Sequence, residues 1–180
     1  MIFVGVDIGY YNLGLVQCQM DPFEVTWAKK IDITIYTHDT VPFCECQLHH
    51  THEMGDYVLH FIQEHRWVFD SADKIFIERQ PPGGFGAIET LLFVTFREKV
   101  ELINPTSMHK HFMIGHLDYE RRKEETIKIA TPFIGHLQNF KDTPRKHDMA
   151  DAVCMCLFKI PKPKRQVREP VKDFNVYRYK

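Results

Sequence analysis

Asp7 ends the apolar run Met1 to Val6, and Glu78 ends the run Lys74-Ile75-Phe76-Ile77, so two buried-strand patterns each finish on an acid. A carboxylate taken out of water there is costly unless it is paired or binds a cation. The ends of central strands are also where open sheets bind ligands. A third acidic element is His147-Asp148-Met149-Ala150-Asp151-Ala152, at the start of a helical pattern. Its two aspartates are three residues apart and share a helix face, while Met149, Ala152, Val153, Cys156, Leu157 and Ile160 form an apolar stripe. Each acid alone has a structural reading: a turn for Asp7, the positive end of a helix dipole for Asp148 and Asp151. The combination is more specific than its parts.

Four carboxylates with no supporting cluster of cysteines or histidines suit a hard, oxygen-seeking ion, Mg2+ or Mn2+, far better than zinc. Two such ions held roughly 4 Å apart activate a water on one side of a phosphodiester and stabilise the leaving oxygen on the other. The expected chemistry is phosphodiester hydrolysis.

The elements that must position these acids follow from periodicity. Met1 to Val6 and Leu13 to Val16 flank a polar turn and read as a hairpin, and Val25 to Tyr36 adds a third antiparallel strand. Met54, Tyr57, Val58, Phe61, Ile62 and Phe69 recur at helical spacing. After the strand ending at Glu78, Gln80-Pro81-Pro82-Gly83-Gly84-Phe85-Gly86 reads as a loop. Ile88 to Phe96 is a helix apolar almost all round, and Val100 to Ile103 a fifth strand stopped by Asn104-Pro105. Helices are expected from about Glu124 to Leu137, with Pro132 bending that one, and from Arg145 to Ile160. The expected order is β-β-β-α-β-α-β-α-α: an α/β fold, residues 1–160 as one domain and 161–180 as a basic C-terminal tail.

Asp7-Ile8-Gly9, Ile77-Glu78-Arg79-Gln80-Pro81, Arg121-Arg122-Lys123 and Lys146-His147-Asp148-Met149-Ala150-Asp151 resemble the successive motifs of RuvC-type Holliday-junction resolvases, closest to the poxvirus branch of the ribonuclease H-like superfamily. The resemblance covers most of residues 1–160. It implies a five-stranded mixed sheet with helices on both faces, and a homodimer that binds four-way junctions and other branched DNA and nicks two opposing strands with Mg2+. Asp7, Glu78, Asp148 and Asp151 match the family's metal-binding acids. Lys123 is the best match to its active-site lysine, there ahead of the helix preceding the acid pair, and Lys110 is second. Arg79, Phe85, Arg121, Arg122, Arg145 and Lys146 are the expected DNA contacts. Phe85 admits two readings: a wedge between bases at the junction centre, or a cap folded back on the helix that begins at Ile88. The loop itself is not strongly basic.

Composition narrows the alternatives. The chain has 180 residues, 44% hydrophobic and 26% charged, which suits one ordinary globular core. The longest apolar runs fall short of a membrane span, and the opening Met1 to Gly9 carries an acid where a signal peptide stays apolar. With five cysteines and no disulfide framework, a reducing intracellular compartment is expected, and for a viral protein the host cytoplasm or sites of viral DNA replication. The formal net charge is −1, yet residues 31–65 hold six acids and no Lys or Arg, while residues 141–180 hold eleven Lys or Arg against five acids. That local basicity is a footprint for phosphate or merely a solvated surface.

Cys44-Glu45-Cys46-Gln47-Leu48-His49-His50-Thr51-His52 crowds metal-ligand types, but the spacing departs from the usual two-pair zinc arrangement and reads better as a loop leading into a helix. Asp-x-Gly after a first strand also opens sugar-kinase and actin-like ATPases. Those folds need a second phosphate-binding motif, and nothing downstream repeats Asp7-Ile8-Gly9-Tyr10. Ribonuclease H activity on RNA-DNA hybrids and non-catalytic branched-DNA binding are the nearest rivals.

Overall fold

Alternation along strand β1 (Ile2–Asp7) divides its side chains between two cores. Val4, Val6 and Ile8 pack with Leu13, Leu15, Ile75 and Ile77, whereas Phe3 packs on the other face with Val16, Cys18 and Phe76. Gly5 and Asp7 therefore belong to the Phe3 face. The computed structural model describes residues 1–35 and 45–160. Tyr36, Cys44 and the basic tail 161–180 lie outside the described residues.

Strands β2 (Leu13–Met20), β3 (Phe23–Ile31), β4 (Lys74–Glu78) and β5 (Val100–Ile103) join β1 in a five-stranded sheet of order β3, β2, β1, β4, β5. The first three strands are antiparallel neighbours, and β4 and β5 run parallel to β1. Val6 pairs with Ile77, so Asp7 and Glu78 follow side by side at adjacent strand ends. Strand β3 ends earlier than its isoleucine alternation suggests. The Asp32 carboxylate accepts hydrogen bonds from the Thr34 amide at 2.9 Å and hydroxyl at 2.6 Å, a local turn that competes with the ladder.

One sheet face carries α1 (Met54–Glu64), α2 (Arg66–Ser71) and α3 (Gly86–Thr95). The other carries α4 (Pro105–His111), α5 (Tyr119–Ile134), α6 (Gln138–Asp142) and α7 (Lys146–Phe158). Several boundaries differ from the sequence expectation. The segment from Met54 to Phe69 is two helices broken at His65. Asn104-Pro105 does more than stop β5: the Asn104 side chain accepts from Thr106 N at 2.9 Å, and Pro105 occupies the first turn of α4, where its missing N–H costs nothing. Helix α5 starts at Tyr119, capped by Asp118 accepting from Arg121 N at 3.0 Å, so Arg121, Arg122 and Lys123 are helical rather than ahead of the helix. Helix α3 is one-sided in its burial, with Ile88 and Leu92 fully buried and Val94 64% exposed.

Helix α7 lies directly across β1 and β2. A Cβ on Gly5 would collide with the Ala152 carbonyl, and one on Gly14 with the Asp148 carbonyl. Only glycine lets the helix backbone come this close.

Candidate active site

Asp7 and Glu78 project from the C-terminal ends of neighbouring parallel strands, onto the sheet face that α7 covers. The glycine contacts seat the first turns of α7 over them, so Asp148 and Asp151 meet the strand acids in a single cleft of about 490 Å3. Asp148 is buried, and the other three acids are half-buried and open to the cleft. The Asp7 and Glu78 carboxyls share a hydrogen bond, and Glu78 also accepts from Gln80 Nε2 at 3.1 Å.

Electrostatics separates Asp148 from the rest. Its oxygens face Arg145 Nε at 3.2 Å and His147 Nε2 at 3.1 Å. The other acids carry a surplus of negative charge. Burial, followed by the charges of Asp151, Glu78 and Asp148, holds Asp7 well above the ordinary carboxylate range. Burial also raises Glu78 against its hydrogen bonds. Asp151 is pushed up to about 7 by burial, with Glu78 and Asp148 adding to the rise while the Thr126 hydroxyl and Lys123 oppose it. Carboxylates that resist ionising together fit a hard divalent cation: Asp7, Glu78 and Asp151 would share it and Asp148 would complete the set.

Lys123 lines the cleft with its ammonium 3.9 Å from the centroid of the Tyr119 ring, and Lys110 does not line it. Arg122 and Arg145 also reach the cleft, Arg122 braced by donating to the Leu117 carbonyl at 3.0 Å. Arg79, Arg121 and Lys146 stay outside it. Arg121 pairs with Asp118 on the surface, and Lys146 lies 5.7 Å over the Phe140 ring. Phe85 stands at the cleft wall, edge-on to Tyr10 with centroids 4.5 Å apart.

Sequence reasoning missed His109, His147, Thr126, Tyr10 and Tyr119 as cleft residues. Burial, with Arg122 nearby, lowers the proton affinity of His109, and burial likewise lowers that of His147. The sequence showed no supporting histidine cluster beside the acids; tertiary packing adds His109 from α4 to His147 in the same cleft. Only His147, next to Asp148, carried a signal in sequence.

No protein-family model and no curated protein matches the sequence. Solved structures do. Fowlpox virus resolvase in complex with its substrate Holliday junction aligns with a TM-score of 0.61 at 16% identity, over 89% of this chain and 97% of that one. The yeast mitochondrial Holliday junction resolvase aligns with a TM-score of 0.56 at 13% identity, over 85% of this chain and 76% of that one. RuvC of T. thermophilus, in complex with a Holliday junction substrate, aligns with a TM-score of 0.50 at 17% identity, over 87% and 90%. The chain has the ribonuclease H-like fold of the Holliday junction resolvases. Within that fold Asp7 and Glu78 end the parallel neighbours β1 and β4 in the middle of the sheet, and Asp148 and Asp151 lie on α7 against them. Strand β1 has the antiparallel neighbour β2 on one side and the parallel neighbour β4 on the other, and α7 lies across β1 and β2 beside the cleft.

Proposed function

We propose that this chain is a Mg2+-dependent, structure-specific DNA endonuclease that resolves four-way junctions by paired phosphodiester hydrolysis, acting as a homodimer. The observation that carries the reading is the convergence of Asp7, Glu78, Asp148 and Asp151 with Lys123 in one cleft of a resolvase fold.

Divalent cations, when bound, supply the positive charge that activates water and stabilises the leaving oxygen. The chain's own groups do the rest. The carboxylates offer oxygen ligands to the cleft, and burial together with neighbouring acids raises Asp7 and Asp151 above the ordinary carboxylate range, which a bound cation would relieve. Lys123 Nζ, on the cleft wall, would steady a non-bridging phosphate oxygen. Arg122 and Arg145 offer guanidinium forks to flanking phosphates, with Arg145 also fixing Asp148. His147 and His109, held toward the neutral form, can accept a proton at the cleft edge. Mn2+ is expected to substitute for Mg2+, since it accepts the same oxygen donors.

Dimerisation is read from α3, where Val94 is 64% exposed and Leu91 and Phe93 are half-buried. Two symmetric nicks call for two symmetric sites.

The deciding experiment offers purified protein with Mg2+ a four-way DNA junction, a linear duplex and an RNA-DNA hybrid. Paired nicks in the junction alone are expected. Cleavage restricted to the hybrid would make the protein a ribonuclease H, and junction binding without cleavage a non-catalytic branched-DNA binder.

A further inference from the structure

Among the described residues, a second concentration of metal-ligand side chains lies on the sheet face opposite α7. Cys46, His50 and His60 bring one ligand atom each to within 4.8 Å of one another. Cys46 and His50 belong to the irregular segment before α1, whereas His60 is a buried residue of α1 itself, between the core residues Val58 and Phe61. His60 Nδ1 is 4.0 Å from Cys46 Sγ, and the His50 and His60 rings lie with centroids 4.5 Å apart, tilted by 35°.

The protonation pattern of His60 follows from its other nitrogen. Nε2 is 3.0 Å from the carbonyl oxygen of His49, an acceptor only, so Nε2 carries the hydrogen and Nδ1 presents its lone pair toward the cysteine sulfur. A backbone carbonyl on the far nitrogen is the usual way a metal-binding imidazole is oriented. Around a tetrahedral Zn2+, with Zn–S near 2.3 Å and Zn–N near 2.0 Å, donor atoms are about 3.5 Å apart. From separations of 4.0 Å and at most 4.8 Å, the closure needed is about 0.5 Å to about 1.3 Å.

We propose that Cys46, His50 and His60 supply three of the four ligands of a Zn2+ site that clips residues 45–53 onto α1. One sulfur and two imidazoles are soft to borderline donors, suited to Zn2+ and poorly suited to Mg2+. The Cys46 cluster lies with α1 on the sheet face opposite α7 and differs from the acid cluster in donor chemistry. The same segment is tied down a second time where the Asp56 carboxylate accepts from the Thr51 amide at 3.0 Å and hydroxyl at 2.5 Å. The zinc completes a clasp whose other half is this helix-start contact. Sequence spacing argued against zinc because the decisive ligand, His60, stands one element away on α1.

The test uses the full chain. After dialysis against metal-free buffer, elemental analysis is expected to find stoichiometric zinc in the wild type and none in Cys46→Ser. Metal-stripped wild type given Co2+ should develop a thiolate-to-cobalt charge-transfer band and tetrahedral d–d bands, and Cys46→Ser should lose the charge-transfer band. The carboxylate cluster has no sulfur and contributes nothing to that band, so cobalt bound there does not confuse the result. Because His60 is buried and its replacement can unfold α1, the half-buried Cys46 and His50→Ala carry the argument. A chelator should lower Tm in the wild type and leave Cys46→Ser unmoved. Absence of retained zinc together with absence of the charge-transfer band overturns the site, and so does a band that persists unchanged in Cys46→Ser.

Discussion

Gly14 of β2 lies against the backbone of Asp148, so close that an added Cβ would stand 3.0 Å from Met149 N and collide with the Asp148 carbonyl. The acid at the start of α7 is thus positioned by a residue with no side chain. Gly14→Ala must push α7 off the sheet, at a cost of about 1–3 kcal/mol for overpacking. The expected outcome is a lowered Tm and a loss of cleavage greater than the loss of junction binding. Thermal melts and a gel-based binding assay check it, and normal cleavage at unchanged Tm would refute the contact.

Burial and neighbouring acids make the metal-free site pH-sensitive. The folded-state proton affinity of Asp151, at about 7, lies above its ordinary value of 3.8. A carboxyl raised on folding favours the folded protein below its unfolded value, and that stability is lost as pH rises through the folded one. With chelator present, stability should therefore fall between about pH 4 and pH 7, by a few kcal/mol at most. Mg2+ should flatten the slope, and Asp151→Asn should remove part of it. Denaturant midpoints across that range, with and without Mg2+, give the measurement. A rise in metal-free stability over the same interval would contradict the site electrostatics.

Catalysis and binding should separate. Asp7→Asn and Asp148→Asn remove ligand charge from the cleft while leaving Arg122 and Arg145 in place. Cleavage should drop by several orders of magnitude, with junction affinity kept within a few-fold, because binding rests on phosphate contacts. Single-turnover kinetics and mobility shifts on the same junction read the two quantities. A variant that cuts at near-normal rate takes its acid out of the site.

The acids were legible in sequence because each violates its local pattern: Asp7 and Glu78 at the ends of apolar runs, Asp148 and Asp151 on one face of an otherwise apolar helix. The resemblance singled out Lys123, which lines the same cleft from within α5. The seating of α7 was not legible, since Gly5 and Gly14 look like ordinary strand glycines until the partner backbone is known. Nor was the convergence of His109 and Thr126, which come from α4 and α5 through tertiary packing. Helix α4 was hidden because Asn-Pro ends a strand and starts a helix with equal ease.

Burial decides which residue of α3 can test the dimer. Leu92 is fully buried in the core beneath α3, so Leu92→Glu would unfold the chain and say little about an interface. Val94, 64% exposed on the same helix, is the informative position. Val94→Glu is expected to keep the monomer's Tm, weaken self-association and convert paired nicks into slow single nicks. Light scattering against concentration checks it. A mass that stays at twice the chain mass would move the interface elsewhere, and a strict wild-type monomer that still makes paired cuts would refute the dimer.

Phe85 decides between two roles for the loop after Glu78. Its ring is already engaged edge-on with Tyr10, 4.5 Å between centroids, and packs against the core that holds Ile88 and Leu92. Gly84 and Phe85 also draw back toward Pro81 and Gln80, Gly84 N donating to the Pro81 carbonyl at 2.9 Å. A side chain held this way must give up an aromatic contact of about 1 kcal/mol before it can enter a base stack, in addition to the unstacking it causes. The expected result of Phe85→Ala is therefore a lowered Tm, with junction cleavage reduced by no more than the loosening of Tyr10 allows. A base-analogue fluorophore at the crossover should report unchanged distortion. The opposite pattern, an unchanged Tm with lost distortion and lost cleavage, would show that Phe85 leaves Tyr10 on binding and serves as the wedge.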